Sequence, residues 1–476
     1  MTATDPEGEW KMQKVNGFYY DSGLLFDEAT GRRFVVAGIN DIRVTELDEN
    51  FNAISSNKQV INKPDAGLEG SHMYHIGDYY YIYATYGGGY DRSQTIFRSK
   101  NPFGPYEEHE GRLFEKQNIH QGGLVETQTG EWWTILFKDA GTIGRIPYLE
   151  PVVWKDGWPI IGKNGIDVSK DGKSYKKPNV GKEYPRTYLP TNDGFNDEKL
   201  GMQWEWNHNP DNTAWSLTEN PGHLRLHTTG IVDESDDTKL NAFLQAGNTL
   251  TQRMFGYDKE GASTSTDTYG TICLDVSHMK EGDVAGLCVF QDPYAYIGVR
   301  VIDGQKKVVT YRAPWWEPKA DWQGNVDDTE HYKVFGTTTA SHNDKIYLRA
   351  VANFKTNKVK FYLSWDGKNW MDSRQDTEMR YTLKIFTGNR FAIFNYATRQ
   401  NGGYVDVDWF STEENIDENV FNNLTAIEQV EAKTKRIVSR QFYNVAGVKL
   451  SAPQKGLNIV KTRYEDGTEK AYSFVK

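Results

Sequence analysis

GDYYYIYAT, residues 77–85, is a turn glycine followed by an unbroken run of aromatic and β-branched residues, the composition of a strand that begins after a tight turn. Two other segments have the same form, GRRFVVAG at 31–38 and GEWWTILFK at 130–138. The first glycines of the three segments are 46 and 53 residues apart, a spacing that fits one four-stranded propeller blade per repeat. We therefore predict a β-propeller within the first 165 residues.

A second pair of similar segments indicates where in a blade this propeller begins. DPEGEW at 5–10 is similar to NPFGPY at 101–106, which follows the strand GDYYYIYAT of its own repeat. No such strand precedes DPEGEW, so we expect the chain to open partway through a blade. About three blades and a fragment would then come before residue 165, whereas closed propellers use roughly four to eight. We expect an N-terminally incomplete propeller.

The rest of the chain has two further compositions. Residues 166–190 are polar and rich in Lys, Gly and Pro, as in a linker. Short alternating runs such as KIYLRAVANF (345–354) then recur with turn residues between them, which predicts a two-sheet β-sandwich. A small β module follows. We predict an all-β protein with a propeller at 1–185, a concanavalin-like sandwich at 191–412 and a C-terminal module at 422–476.

Composition narrows the classes of partner. The 14 Trp and 28 Tyr favour surfaces that stack on flat ligands such as sugar rings. A net charge of −10 without basic blocks argues against nucleic acid, whose phosphates need a basic surface. No signal peptide is visible, and no apolar run approaches the roughly 20 residues that span a membrane. Cys273 and Cys288 could pair, but two small buried side chains are the simpler interpretation.

Three polar residues lie at comparable places in the repeats. Asp21 in GFYYDSGLLFD, Glu69 in LEGSHMY and His120 in NIHQGGLVET each come shortly before a repeat strand. If the start of the innermost strand of each blade faces the central channel, these side chains are neighbours. Two carboxylates in a sugar-sized cleft are what the cleavage of a glycosidic bond requires, provided that one of them is protonated.

Each of these residues also has a plainer explanation. Glu69 and Asp21 could be solvated turn residues, and His120 could be an ordinary loop histidine. Their equivalent placement favours a joint role. The sequence shows no phosphate-binding loop, no metal-ligand spacing of the zinc type and no serine-esterase elbow.

Longer stretches around these residues resemble glycoside hydrolase family 43, the inverting β-xylosidases and α-L-arabinofuranosidases built on a five-bladed propeller. The stretches are FYYDSGLLFD (18–27), LEGSHMY (68–74), IHQGGLVETQTGEWW (119–133) and GRIPYLEPVVWKDGWPI (144–160). DGFNDEKLGMQWEWNHNPDNTAWSLTENPGHLRL (193–226) resembles the concanavalin-like domain that follows the propeller in many of these xylosidases.

The resemblance implies roles for four residues. Glu69 matches the general acid that protonates the leaving-group oxygen, and Asp21 matches the carboxylate that positions this acid and modulates its pKa. Arg145 matches the arginine that binds sugar hydroxyls. His120 matches a substrate-side histidine of the central channel, beside which many members hold a water-coordinated calcium. The implied substrates are xylo- or arabino-oligosaccharides from plant hemicellulose, with calcium and no organic cofactor.

The chain departs from the family pattern at the general base. In the family, this base is an aspartate of the first blade, within a segment similar to Tyr-Pro-Asp-Pro, and no such segment occurs here. Asp5 is similar by letter only. We therefore expect severely impaired turnover in a truncated family member, or else a genuinely reduced protein or one completed by a separate N-terminal piece. The alternatives are a non-catalytic carbohydrate-binding protein that keeps the cleft and a structural β-protein without a sugar site.

The C-terminal stretch QFYNVAGVKLSAPQKGLNIVK (441–461) resembles the sorting module of type IX secretion cargo. This resemblance implies that the secretion machinery is a partner and that the protein is secreted, periplasmic or attached to the cell surface. A small accessory β-domain is the alternative.

Overall fold

The computed structural model describes most of the chain, and for this part the prediction of an all-β protein is confirmed: its regular elements are strands, apart from one 3-10 turn at Gly141–Ile143. The predicted linker at 166–190 and the start of the C-terminal module at 422–436 lie partly or wholly outside the described residues. The described residues are 1–5, 8–87, 93–111, 113–114, 119–162, 176–185, 189–234, 246–255, 267–313, 316–318, 324–326, 332–337, 344–381, 385, 387–416, 421, 437–444, 446–451, 454, 457–464 and 469–475.

The chain divides into two compact units. The first contains Met1–Ala140 and Arg145–Tyr184, and the second contains Gly141–Gly144 and Pro185–Lys476. The domain limits predicted from the sequence stay predictions.

The first unit contains three four-stranded antiparallel sheets, each made from strands that follow one another in the chain. The strands are β1 (Gly23–Asp27), β2 (Arg32–Ala37), β3 (Asp41–Leu47) and β4 (Lys58–Asn62) in the first sheet, β5 (Leu68–Ile76), β6 (Tyr79–Tyr86), β7 (Ser93–Ser99) and β8 (Glu107–Glu108) in the second, and β9 (Ile119–Glu126), β10 (Trp132–Asp139), β11 (Arg145–Lys155) and β12 (Trp158–Ile161) in the third. The three glycine-led runs are β2, β6 and β10, the second strand of each sheet. One four-stranded sheet per repeat is therefore confirmed.

The middle sheet is covered on both faces, which explains why β6 is apolar or aromatic at nearly every position. Successive side chains of a strand point to opposite faces of the sheet. Tyr80 and Ile82 share a hydrophobic core with Phe34 of the first sheet, whereas Tyr83 shares a second core with Leu136 of the third. Because both faces are buried, the usual alternation of polar and apolar residues is lost.

The outer faces of the first and third sheets present apolar side chains to solvent. Leu24 and Phe26 of β1 are 54% and 55% exposed. On the third sheet, Val125, Ile135 and Val153 are 48%, 52% and 61% exposed. The three sheets thus pack face to face in chain order, and the first and the last each keep one exposed apolar face.

The second unit is built mainly from two large antiparallel sheets. Its strands are β13 (Trp204–Trp206), β14 (Trp215–Ser216), β15 (Leu224–His227), β16 (Leu250–Arg253), β17 (Thr268–Asp275), β18 (Asp283–Phe290), β19 (Ala295–Ile302), β20 (Gln305–Arg312), β21 (Trp316–Pro318), β22 (Gly324–Val326), β23 (Tyr332–Thr337), β24 (Lys345–Asn353), β25 (Lys358–Ser364), β26 (Met371–Asp372), β27 (Thr377–Glu378), β28 (Arg390–Ala397) and β29 (Tyr404–Ser411). One sheet has the order β13-β16-β28-β18-β19-β20-β23 and the other β14-β15-β29-β17-β24-β25-β26, with β27 paired to β25 and β21 to β22.

The main core of this unit lies between the two large sheets. Leu287 and Ile297 reach it from the seven-stranded sheet, and Ile272 and Leu348 reach it from the other. The predicted β-sandwich is therefore observed, and the sheets meet through alternate residues of each strand. Cys273 and Cys288 are buried and are not joined by a disulfide, as the simpler interpretation of the two cysteines predicts.

A separate four-stranded sheet lies near the C-terminus, in the order β31-β30-β32-β33. Its strands are β30 (Ile437–Asn444), β31 (Lys449–Leu450), β32 (Leu457–Tyr464) and β33 (Glu469–Val475). A small β module is thus present among the described residues, while its role in export stays a prediction. No helix in the described part of the chain is long and apolar enough to cross a membrane.

A buried carboxyl group in the sandwich predicts a pH dependence of stability. Asp283 is fully buried, its Oδ2 accepts a hydrogen bond from the Lys280 N–H at 2.7 Å, and the described residues offer no hydrogen-bond partner to its Oδ1. Burial raises the pKa of Asp283 to about 6. The folded protein therefore binds the proton of the Asp283 carboxyl group more tightly than the unfolded chain does. As a result, the free energy of unfolding falls as the pH rises from about 4 to about 6.

Asp283→Asn should remove this loss, since an asparagine carries no charge and keeps an acceptor for the Lys280 N–H. At pH 7 the variant should be more stable than the native chain by about 2–3 kcal/mol, because one pKa unit corresponds to about 1.4 kcal/mol. At pH 4 the difference should disappear. Urea unfolding of both proteins at the two pH values measures this, and an equal difference at both would contradict it.

Candidate active site

The first strand of each sheet in the first unit contains or follows a β-bulge, where one strand has an extra residue without a partner. Glu69 is the last paired residue before the bulge of the second sheet, and His120 holds this place in the third. In the first sheet the place belongs to Tyr20, whose carbonyl oxygen accepts a hydrogen bond from the Gly38 N–H at 2.9 Å before pairing resumes at Gly23. Tyr20, Glu69 and His120 are therefore equivalent.

The next residue has a left-handed backbone in all three strands: φ is 49° at Asp21, 64° at Gly70 and 51° at Gln121. The prediction that Asp21, Glu69 and His120 share one equivalent position is thus wrong by one residue for Asp21. The physical reason is that a bulge arises from pairing between strands and leaves no mark in the spacing of residues along one strand.

Glu69 is the second residue of β5. It therefore lies in a strand, and the alternative that it is a turn residue is wrong. Tyr20 Oη donates a hydrogen bond to Glu69 Oε2 at 3.2 Å. The negative charge of Glu69 raises the pKa of Tyr20, and burial, this hydrogen bond and the charge of Asp21 add to the effect. The Tyr20 hydroxyl is therefore protonated at neutral pH and lies within electrostatic reach of both carboxylates.

Asp21 is held by a residue that lies 100 positions later in the chain. Gln121 Nε2 donates a hydrogen bond to Asp21 Oδ2 at 2.7 Å. The backbone N–H of Gln121 in turn donates to Gln94 Oε1 at 3.0 Å, and Gln94 is 2% exposed. A side chain of the third sheet thus reaches the first sheet, and its backbone is anchored on the second.

His120 and Arg145 are joined through one aromatic ring. His120 is buried, with its ring centroid 4.9 Å from that of Phe137, and Arg145 Cζ lies 4.3 Å from the same Phe137 centroid. Arg145 Nε also lies 3.2 Å from Asp139 Oδ1. The guanidinium group is thereby fixed by a cation–π contact and an ion pair, and its side chain remains 30% exposed and able to meet a ligand.

The four residues predicted from the sequence are thus connected to one another through contacts of their neighbours. Tyr20, which precedes Asp21 in the chain, donates a hydrogen bond to Glu69, and Gln121, which follows His120, donates one to Asp21. Phe137 contacts both His120 and Arg145. We call this set the bulge cluster; its members are Tyr20, Asp21, Glu69, His120, Gln121, Phe137 and Arg145.

Sequence reasoning missed three members of the cluster, namely Tyr20, Gln121 and Phe137. Tyr20 and Gln121 each adjoin a predicted residue, and Phe137 lies in the third repeat run. The available signal was the alignment of the repeats themselves, because pairing Tyr20 with Glu69 instead of Asp21 would have placed these neighbours at the site.

The calcium predicted beside His120 would be held largely through water molecules, so it needs few protein ligands. The described residues contain no group of three or more His, Cys, Asp and Glu side chains that could hold a metal ion. His120 itself is enclosed by protein and packs against an aromatic ring. These residues do not form a metal cage, so no chemical step is assigned to calcium, and a water-coordinated ion stays a prediction.

Comparison with known proteins identifies the relatives of both units. Residues 1–159 match the family described as Glycosyl hydrolases family 43, and residues 192–413 match the Beta xylosidase C-terminal Concanavalin A-like domain. A beta-xylosidase of Formosa agariphila is 30% identical over 468 residues, which cover 86% of this chain and 73% of that protein. The chain belongs to glycoside hydrolase family 43. It is thus a member of a family of glycosidases.

Two further family 43 relatives are similar over smaller shares of their own length. A non-reducing end alpha-L-arabinofuranosidase of Bacteroides ovatus is 32% identical over 263 residues, 50% of this chain and 48% of that protein. The solved structure of a bifunctional GH43-CE protein of Bacteroides eggerthii is 34% identical with a TM-score of 0.68, covering 86% of this chain and 50% of that one. The propeller-type and concanavalin-like folds are thereby confirmed, while the number of blades stays a prediction.

Proposed function

We propose that this family 43 member acts on plant hemicellulose fragments as a glycosidase that releases xylosyl or arabinosyl units. The observation that carries the proposal is the hydrogen bond from the Tyr20 hydroxyl to Glu69, with Asp21 next to Tyr20 in the chain. The names of the relatives in Formosa agariphila and Bacteroides ovatus, a beta-xylosidase and an alpha-L-arabinofuranosidase, support these two sugars.

Glu69 is the proposed general acid, which donates a proton to the oxygen of the departing sugar. A carboxylic acid does this near neutral pH only if its pKa is raised, and a neighbouring negative charge raises it. Asp21 supplies that charge, and the Tyr20 hydrogen bond fixes the orientation of the Glu69 carboxyl group. Asp21 thus acts on the reaction through Glu69.

Arg145 and His120 are the proposed sugar-binding residues. The Arg145 guanidinium group presents several N–H donors to sugar hydroxyls, and its contacts with Phe137 and Asp139 hold it in one orientation before the ligand arrives. His120 packs against the same Phe137 ring as Arg145, which places the two proposed residues next to one another.

The activation of water is the part of an inverting reaction that this chain is least equipped to perform. Inverting glycosidases need another carboxylate, about 6.5–9.5 Å from the acid, which activates a water molecule on the opposite face of the sugar. No segment of this chain resembles the family's base segment. We therefore propose that turnover by this chain alone is low.

The same observation favours a second candidate function, a carbohydrate-binding protein without turnover. The binding residues Arg145 and His120 and the acid Glu69 are held in one cluster, so sugar affinity can persist where hydrolysis is lost.

Aryl glycosides separate these functions. The chain is incubated with 4-nitrophenyl β-D-xyloside and 4-nitrophenyl α-L-arabinofuranoside, with and without azide, whose nitrogen can bond to the anomeric carbon as the glycosidic C–O bond breaks. Slow nitrophenol release that azide accelerates, with a glycosyl azide product, supports a glycosidase that lacks a base. No release, combined with a rise in melting temperature on adding xylose or arabinose, supports the binding protein. If neither is seen, both proposals are wrong.

The C-terminal sheet, β30–β33, is the basis of a further proposal that the protein is exported by a secretion system that reads this module. The support is the sequence resemblance and the presence of a compact sheet in that region. Fusion of residues 422–476 to an exported reporter tests this: the reporter should reach the cell surface or the medium, and its retention inside the cell would contradict the proposal.

A further inference from the structure

We propose that Gln121 is a positioning residue, which fixes the orientation of the Asp21 carboxylate, and that residue 70 is glycine so that the Gln121 side chain can pass over it. This inference rests on the proposed function, because it assigns Gln121 an effect on the acid through Asp21. It follows from the contacts within the bulge cluster.

The first step is the bond itself. Gln121 Nε2 donates to Asp21 Oδ2 at 2.7 Å, a short distance for an amide donor and a charged acceptor. Asp21 has a left-handed backbone and an exposed side chain, so its own strand does little to fix its carboxylate. The amide of Gln121 supplies the missing restraint from another sheet.

The second step is the choice of glycine at position 70. A left-handed backbone commonly requires glycine, but the equivalent residues here are Asp21 and Gln121, which adopt this conformation with side chains. The backbone therefore does not by itself demand glycine at position 70. A Cβ atom on Gly70 would lie 2.7 Å from Gln121 Cγ and 2.9 Å from Gln121 Nε2, closer than such atoms can approach. The Gln121 side chain occupies that space on its way to Asp21.

The third step is the anchoring of Gln121. Its left-handed conformation costs free energy, and such a conformation persists only where the surroundings hold it. The Gln121 N–H donates to Oε1 of the buried Gln94 on β7. Residues of all three sheets thus take part in this arrangement. In the second sheet, Gln94 binds the Gln121 backbone and Gly70 leaves room for its side chain, and this side chain reaches from the third sheet to Asp21 at the start of the first.

The consequence concerns the protonation of Glu69. The charge of Asp21 favours the protonated acid only while the carboxylate stays near it. Without the Gln121 amide, Asp21 can turn towards solvent, where water screens its charge. Removing Gln121 should therefore reproduce part of the effect of neutralising Asp21, although Asp21 itself is unchanged.

The test measures the protonation of Glu69 directly and needs no turnover. A water-soluble carbodiimide activates protonated carboxyl groups, so the labelling of the Glu69 peptide across pH, followed by mass spectrometry on the full chain, gives the midpoint of its titration. The variants are Asp21→Asn, Gln121→Met, which keeps the length of the side chain without the donor, and Gly70→Ala. The matched control is Gln59→Met, since Gln59 Nε2 donates to Asp41 Oδ1 at 2.7 Å in another part of the first sheet.

Asp21→Asn should lower the midpoint of Glu69, and Gln121→Met should lower it by at least half as much, while Gln59→Met leaves it unchanged. Gly70→Ala should behave like Gln121→Met, and if it fails to fold, Gln121→Met decides alone. A shift in Asp21→Asn without one in Gln121→Met would overturn the positioning role and leave the proposed function standing. No shift in Asp21→Asn would instead remove the role of Asp21 in the proposed function, and the role of Gln121 with it.

Discussion

Glu69→Gln should reduce the release of 4-nitrophenol from the better of the two aryl glycosides by about 10²–10⁴-fold, the usual contribution of a positioned general acid. Glutamine has nearly the same shape and can still accept the Tyr20 hydrogen bond, so the fold should persist, but it has no proton to donate. The measurement is the initial rate in the presence of azide, which is a nucleophile that needs no general base.

The leaving group provides an internal check on this expectation. The 2,4-dinitrophenolate of a 2,4-dinitrophenyl glycoside leaves without being protonated, so Glu69→Gln should slow the cleavage of this substrate far less. Glu28→Gln is the matched control, because Glu28 is an exposed residue of a turn in the first sheet and should leave both rates unchanged. Equal losses on both substrates would show that Glu69 acts in some way other than proton donation.

Phe34→Ala should lower the free energy of unfolding of the first unit by about 3–5 kcal/mol, the range measured for large aromatic side chains in closed cores. Phe34 is completely buried between the first and second sheets, and its ring packs edge-on against Tyr80 and Phe103 at centroid distances of 6.1 and 6.0 Å. Its removal leaves a cavity in the core that joins these two sheets. Urea unfolding followed by intrinsic fluorescence measures the loss.

Phe26→Ala makes the same chemical change on the opposite face of the same sheet. Phe26 is 55% exposed and has one aromatic contact, with Phe51 at 6.0 Å, so its loss should cost at most about 1 kcal/mol. If the two variants lost equal stability, the packing between the first and second sheets would not be the main source of stability in this unit.

The sequence by itself was sufficient for the all-β class, the three repeated sheets and the sandwich. Strand formation depends on local composition: a turn glycine followed by aromatic and β-branched residues specifies a strand with little help from the rest of the chain. The continuous apolar run of β6 also indicated burial on both faces, which the two cores on either side of Tyr80 and Tyr83 provide. The spacing of the repeats then brought Asp21, Glu69 and His120 into consideration together, and the resemblance to family 43 added Arg145.

Only the tertiary structure decided how these side chains meet. Each of the three strands gains one bulged residue, and this single-residue shift makes Tyr20 the counterpart of Glu69 and makes Asp21 the counterpart of Gly70 and Gln121. A bulge is a property of the pairing between two strands, so no pattern along one of them reveals it. The bond from Gln121 to Asp21 spans 100 residues and exists because three sheets pack face to face and position 70 carries no side chain. Local composition therefore fixed the strands, whereas contacts between sheets fixed the geometry of the site.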